Sequence, residues 1–121
     1  MKIFRLEAEN RGIYMIGYRN ERILKAMENH YSQPRHPNIN QDVLLKYIRP
    51  QSLIDYKFGF GSIKQMLAWF DGEKLKELLE CGVKIVVLEC HPHSVIMGDK
   101  QVIFLKKYLG EEPKVLKVIS L

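Results

Sequence analysis

Five residues from three separate parts of the chain could together hold a phosphate-bearing ligand. Arg5 offers a planar fork of hydrogen-bond donors that suits phosphate better than a lysine ammonium does. Gly59 and Gly61 allow another group to approach the backbone closely, and Ser62 stands where it can cap a helix. A glycine-punctuated segment that leads into a helix is a typical place for an anion. Gln101 opens a late strand. We predict that all five residues surround one cleft in the folded protein.

A second set of residues carries metal-ligand and nucleophile chemistry. Cys90, His91 and His93 lie within four positions, and Cys81 and His36 are further candidates. Structural zinc sites usually contain closely spaced pairs such as CxxC, which this chain lacks. The two histidines are therefore better explained as solvent-facing or hydrogen-bonding loop residues at a strand exit. Neither cysteine is predicted at a helix N-terminus, where a thiolate would be stabilised. We therefore predict no metal site, no resident cofactor and no catalytic residue.

The hydrophobic pattern predicts helices in the middle of the chain and strands towards both ends. This order is typical of an α+β fold, with a single mixed or antiparallel sheet and three to four helices packed on it, in one domain over residues 1–121. The predicted strands are Lys2–Ala8, Val83–Cys90, Val95–Met97, Gln101–Leu105 and Val115–Leu121. Gly12–Tyr18 is a second strand or a strand-like turn, and Tyr56–Phe70 contains a strand or loop that leads into a helix. The predicted helices are Asn20 to about His30, Gln41–Ile48, Ser62–Phe70 and Glu73–Cys81, with a loop over Tyr31–Asn40.

The composition limits the classes of function. Hydrophobic residues make up 46% of the chain and charged residues 27%, which is ordinary for a globular domain, and no apolar run is long enough to span a bilayer. We therefore expect a cytoplasmic protein without a membrane partner. The net charge is +5, but no Lys/Arg-rich run is present, so nucleic-acid binding is not expected. All six arginines lie in the first half, which favours a phosphate ligand or an acidic partner there, although a solvated basic face explains the charge equally well.

The layout of the candidate residues resembles the ADP-ribosyltransferase-like fold. Arg5 matches the first-strand residue that fixes the dinucleotide, Ser62 matches the middle element, and Gln101–Phe104 resembles the family's late E-V-x-F strand. The resemblance implies a ligand such as NAD, ADP-ribose or a signalling nucleotide. The family's catalytic glutamate is replaced by Gln101, which keeps a hydrogen bond but not the negative charge. We therefore expect binding without turnover, with an active transferase as an alternative.

Two further alternatives remain open from the sequence. In the first, Gln101 is an ordinary strand residue and Arg5 pairs with Glu7 or Glu89, so that no ligand site exists. The second follows from composition, because the chain resembles the small, basic, uncharacterised proteins of bacteriophage genomes. That resemblance implies a protein that binds and inhibits a host factor or captures a nucleotide signal of host defence. The sequence leaves the oligomeric state open.

Overall fold

The computed structural model describes residues 1–9, 11–12, 21–28, 44–46 and 50–121. Within these residues the protein has an α+β fold, as the sequence predicts. The seven strands are β1 (Lys2–Ala8), β2 (Arg11–Gly12), β3 (Tyr56–Gly59), β4 (Lys84–Glu89), β5 (Val95–Met97), β6 (Val102–Leu105) and β7 (Lys114–Ile119). The three α-helices are α1 (Glu21–Glu28), α2 (Ile63–Trp69) and α3 (Gly72–Glu80), and short 3₁₀ segments cover Pro50–Asp55 and Pro92–Ser94.

The strands form two antiparallel sheets rather than the single sheet predicted. The larger sheet has the strand order β2-β1-β4-β7, and the smaller has the order β3-β6-β5. The two sheets meet where Phe4 of β1 and Phe60, just after β3, exchange backbone hydrogen bonds of 2.8 and 2.7 Å. This long-range contact joins the two sheets of the described residues, and nothing near Phe4 or Phe60 in the sequence indicates it.

Gly59 explains why the smaller sheet can come so close to β1. A Cβ atom at this position would lie 2.7 Å from Cγ2 of Ile3 and 3.0 Å from the carbonyl oxygen of Phe4. Real Cβ atoms do not approach that closely, so the crossing needs a residue without a side chain. The neighbour that Gly59 admits is therefore a strand of the protein itself.

Two apolar cores lie on opposite faces of the larger sheet. The helix-side core packs α1, α2 and α3 against the sheet, and the inter-sheet core lies between the sheets. Strand β4 contributes to both, because four consecutive residues, Ile85 to Leu88, are buried. The predicted strand Val83–Cys90 is thus observed as β4, a central strand covered on both faces. The main residues of the helix-side core are Leu6, Ile23, Phe60, Met66, Phe70 and Leu78, and those of the inter-sheet core are Ile3, Val86, Leu88, Cys90, Val102 and Phe104.

Local capping signals set the limits of α2 and α3. The hydroxyl of Ser62 accepts a 3.0 Å hydrogen bond from the Gln65 N–H at the start of α2, and the carboxylate of Asp71 accepts a 2.8 Å bond from the Lys74 N–H at the start of α3. Gly82 follows α3 with a φ of 95°, in the left-handed region that favours glycine. The predicted separation of these two helices near residue 71 and the predicted end of the second near Cys81 are both confirmed.

Several predicted elements fall partly or wholly on residues outside those described. The predicted loop Tyr31–Asn40, which includes His36, lies wholly outside them, and so does most of the predicted strand Gly12–Tyr18. For the predicted helix Gln41–Ile48, residues 44–46 are described and form a turn. None of the described helices is both long and apolar enough to cross a bilayer.

Candidate functional site

The guanidinium of Arg5 is held by other parts of the protein. Its Nε atom donates a 2.9 Å hydrogen bond to Oε2 of Glu7, and Nη1 donates to the carbonyl oxygen of Phe58 on the smaller sheet. The Nη2 atom lies 2.5 Å from where a Cβ of Gly12 would stand, so the group covers the backbone of β2. Arg5 is only 9% exposed, and this burial lowers its pKa, which the nearby Glu7 carboxylate partly opposes. The Arg5–Glu7 pair is the one anticipated in the alternative without a ligand site.

Gly61 and Ser62 lie at the junction between the smaller sheet and α2. A Cβ at Gly61 would stand 3.1 Å from Cε of Met97 and 3.3 Å from Cγ1 of Val102, so glycine allows tight packing against the β5–β6 hairpin. The Gly61 N–H donates a 2.8 Å hydrogen bond to Oε1 of Gln65. Both predicted residues thus position the start of α2 against that hairpin.

Gln65 joins α2 to the turn between β5 and β6. Its Nε2 atom donates to the carbonyl oxygens of Asp99 at 3.1 Å and of Gly98 at 3.5 Å. The turn itself is closed by a 2.8 Å hydrogen bond from the Gly98 N–H to the carbonyl oxygen of Gln101. One amide side chain therefore fixes the separation between the start of α2 and this turn.

A cavity of about 450 Å³ lies between the exposed face of α2 and the β5–β6 turn. Ser62 and Gln65 line one end of it, and Asp99 and Lys100 come from the turn. Lys64 and Trp69 complete its charged and aromatic wall. Two ammonium groups against one carboxylate give the wall a net positive charge, and the indole supplies a flat apolar surface. We refer to this space as the α2 cavity.

The five predicted site residues do not share the α2 cavity. Ser62 lines it, whereas the other four, Arg5, Gly59, Gly61 and Gln101, do not. Gln101 is fully buried directly before β6, so its side chain belongs to the interior. The assignment of Arg5 and Gln101 to a ligand site stays a prediction, and the contacts of Arg5 with Glu7 and Phe58 favour a structural role for that residue.

The histidine and cysteine cluster forms a small structural motif. The Nδ1 atom of His91 accepts a 3.1 Å hydrogen bond from the His93 N–H, and the His91 ring packs on Tyr108 with centroids 4.7 Å apart. Cys90 is 2% exposed, and burial raises the pKa of its thiol to about 11. Among the described residues, no three His, Cys, Asp or Glu side chains lie close enough together to hold a metal ion. His36 lies outside the described residues.

The sequence analysis missed the residues that form most of the α2 cavity. Trp69 lies in the predicted helix Ser62–Phe70; it packs partly on the helix-side core and also lines the cavity. Helical spacing could have revealed the group, because Lys64 and Ala68, and likewise Gln65 and Trp69, are four residues apart and share a face. No local signal could have placed Asp99 and Lys100 opposite them, because those residues follow more than thirty positions later.

Comparison with known protein families places the chain among bacteriophage proteins. A family model described as "Bacteriophage T4 Y00F protein" matches residues 1–113. The chain belongs to this Y00F family. This confirms the expected likeness to bacteriophage proteins, whereas the likeness to the ADP-ribosyltransferase-like fold stays a prediction. The matched residues include the whole α2 cavity and both sheets except β7.

A protein of Enterobacteria phage T4 gives a second comparison. The "Uncharacterized 19.7 kDa protein in motB-dexA intergenic region" is 40% identical over 53 residues, which are 44% of this chain and 32% of the relative. The match thus spans about a third of that relative's length. No solved structure matches the chain.

Proposed function

We propose that this Y00F-family protein binds a phosphate-bearing nucleotide in the α2 cavity. The observation that supports the proposal is the pairing of one indole, Trp69, with two lysines, Lys64 and Lys100, around a space of about 450 Å³. That volume is within the usual range of roughly 300–1,000 Å³ for small-molecule pockets. An aromatic base needs a flat partner and its phosphates need cations, and both are available along the same wall.

The chemistry of the cavity suits binding rather than turnover. A base stacked on an aromatic side chain gains roughly 1–3 kcal/mol. The ammonium groups of Lys64 and Lys100 attract phosphate as point charges, and the hydroxyl of Ser62 and the amide of Gln65 add hydrogen-bonding groups at one end. Among the residues that the structure describes, Asp99 is the one carboxylate that lines the cavity. We therefore propose a nucleotide-binding protein without catalysis, and an active transferase is an outcome that the experiment can recognise.

Tryptophan fluorescence gives a direct test, because Trp69 is the chain's only tryptophan. Mono-, di- and cyclic nucleotides, together with NAD and ADP-ribose, are titrated into the protein while Trp69 emission and the melting temperature are recorded. We expect one class of nucleotide to quench the emission and to raise the melting temperature by several degrees, because a ligand that binds only the folded state stabilises it. The corresponding nucleoside, which lacks phosphate, should bind at least about tenfold more weakly.

A matched pair of charge reversals separates specific binding from general electrostatics. Lys64→Glu places a negative charge in the cavity, and Lys76→Glu makes the same change on the exposed surface of α3. We expect the first variant to lose most of the quenching and the second to keep it. Quenching that survives Lys64→Glu and Lys100→Glu together, or no quenching by any nucleotide at millimolar concentration, would refute the proposal. Release of nicotinamide from NAD would instead establish an active transferase.

A further inference from the structure

Strand β7 exposes apolar side chains at the edge of the larger sheet. Among the described strands its only neighbour is β4, so its other side lies at the sheet's edge. Val115 is 55% exposed, Leu116 is 42% exposed and Val118 is 50% exposed. A monomeric protein usually protects such a strand, because its backbone N–H and C=O groups can pair with another chain. The edge of β7 is therefore a candidate surface for strand addition.

A cleft opens between the two sheets beside this edge. It has a volume of about 170 Å³, and Val115 of β7 is one of its lining residues. Its apolar base is formed by Val86, Leu88 and Phe104, which belong to the inter-sheet core. The space is of the order of one large apolar side chain. An added strand beside β7 would direct alternate side chains towards this cleft, because successive side chains of a strand point to opposite faces.

The charge around this edge is mainly positive. Lys57 and Lys106 line the cleft, and Lys114 and Lys117 lie on β7 itself. The acidic neighbours are Glu7, which pairs with Arg5, Glu89, which accepts a hydrogen bond from the Met1 ammonium, and Glu112, which also lines the cleft. Lys57 and Lys106 lie on the cleft side of the sheet with Val115. Lys114 and Lys117 pair with Glu89 and Val87 and therefore point to the opposite face of β7. Two of the three carboxylates already bind cations. A partner with carboxylates fits this surface better than a basic one.

We propose that β7 is a docking site for an extended segment of another protein in which apolar and acidic residues alternate. The segment pairs with the outer backbone groups of β7, and one of its apolar side chains enters the cleft between the sheets. Its carboxylates point to the opposite face, where they meet Lys114 and Lys117. A second copy of this chain is a poorer occupant, because β7 pairing with β7 would bring Lys114 and Lys117 of both copies to one seam. This surface is separate from the α2 cavity, so either proposal can fail without the other.

The test is selection from a displayed library of random peptides of about ten residues on the full-length protein. We expect enriched peptides in which acidic and apolar residues alternate. Val115→Thr with Val118→Thr keeps the β-branched shape and removes the exposed apolar surface, and it should weaken binding by about tenfold. Lys114→Glu with Lys117→Glu should weaken it by a similar factor of about ten at low salt. Leu67→Gln, an exposed apolar position on α2, and Lys64→Glu in the α2 cavity should leave peptide affinity unchanged.

Three results would overturn the proposal. The first is a selection that enriches no peptide whose binding depends on the β7 substitutions. The second is enrichment of peptides without acidic residues. The third is a concentration-dependent dimer, seen by light scattering, that the Val115→Thr and Val118→Thr substitutions abolish, because this would make a second copy the occupant.

Discussion

Arg5 joins the two sheets through a buried cation, so removing it tests whether the residue is structural. In Arg5→Ala the Glu7 carboxylate, whose side chain is 20% exposed, loses its partner and the Phe58 carbonyl loses a donor. Breaking a largely buried ion pair typically costs roughly 3–5 kcal/mol. We expect urea denaturation to show a loss near the lower end of that range, and Arg11→Ala, at an exposed position on β2, to change little. An Arg5→Ala variant that keeps its stability but no longer binds nucleotide would instead identify Arg5 as a ligand residue.

Gly59 should tolerate no side chain, because the space its Cβ would need is occupied by Ile3 and the Phe4 backbone. Overpacking of this kind typically costs roughly 1–3 kcal/mol. Gly59→Ala should therefore lower the free energy of unfolding by about 2 kcal/mol or more. Gly72→Ala is the matched control, because nothing lies within 4 Å of the Cβ position there. Equal stabilities for the two variants would show that the contact between the sheets can relax.

Cys90 should make stability depend on pH in the alkaline range. Burial raises the pKa of its thiol to about 11 in the folded protein, whereas a thiol in the unfolded chain ionises near its ordinary value of roughly 8.5–9. Between these values the unfolded chain loses its proton first, so the free energy of unfolding falls as pH rises. A Cys90→Ala variant should show a shallower fall from about pH 9 to about pH 11, measured by urea titrations against Cys81→Ala. Parallel curves for both variants would contradict this assignment.

At the scale of secondary-structure elements, Gln65 determines how α2 meets the β5–β6 hairpin. Gln65→Glu keeps an acceptor for the Gly61 N–H but removes the donor to the Gly98 and Asp99 carbonyl oxygens. We expect hydrogen exchange to show continued protection of the Gly61 amide and faster exchange of the Gly98 amide. Nucleotide affinity should fall as well, because the turn carries Lys100. Unchanged exchange at Gly98 would mean that the turn is stable without the hydrogen bonds from Gln65.

The elements that the sequence predicted correctly are those specified by neighbouring residues. The limits of α2 and α3 follow from the capping residues Ser62 and Asp71, and β4 follows from an unbroken apolar run. The predicted strand Lys2–Ala8 is likewise observed, with the same bounds, as β1. Each of these signals lies within a few residues of the structure it determines, so no knowledge of the tertiary fold was needed.

At the scale of the whole molecule, the features that the sequence did not predict depend on contacts between residues that are distant in the chain. Phe4 and Phe60 are far apart in the chain, and their pairing joins two sheets where one sheet was predicted. The burial of Arg5 under the smaller sheet and the position of Lys100 opposite Lys64 in the α2 cavity also depend on contacts between distant residues. The sequence therefore did not reveal them. A residue's type shows which chemistry it can perform, whereas its use in this protein depends on which distant segment packs against it.

The shared inter-sheet core predicts that both sheets unfold together. Phe104 of β6 is fully buried and packs against residues of β1 and β4 in that core. Phe104→Leu should cost about 1–2 kcal/mol, because the smaller side chain fills the site incompletely. If the sheets form one cooperative unit, slow hydrogen exchange of the β4 amides and the β6 amides should accelerate by the same factor. Phe58→Leu, at a half-buried position on β3, is the matched control and should have a smaller effect. Faster exchange in β6 with unchanged exchange in β4 would show that the smaller sheet opens alone. The Phe4–Phe60 contact would then connect two sheets that unfold independently.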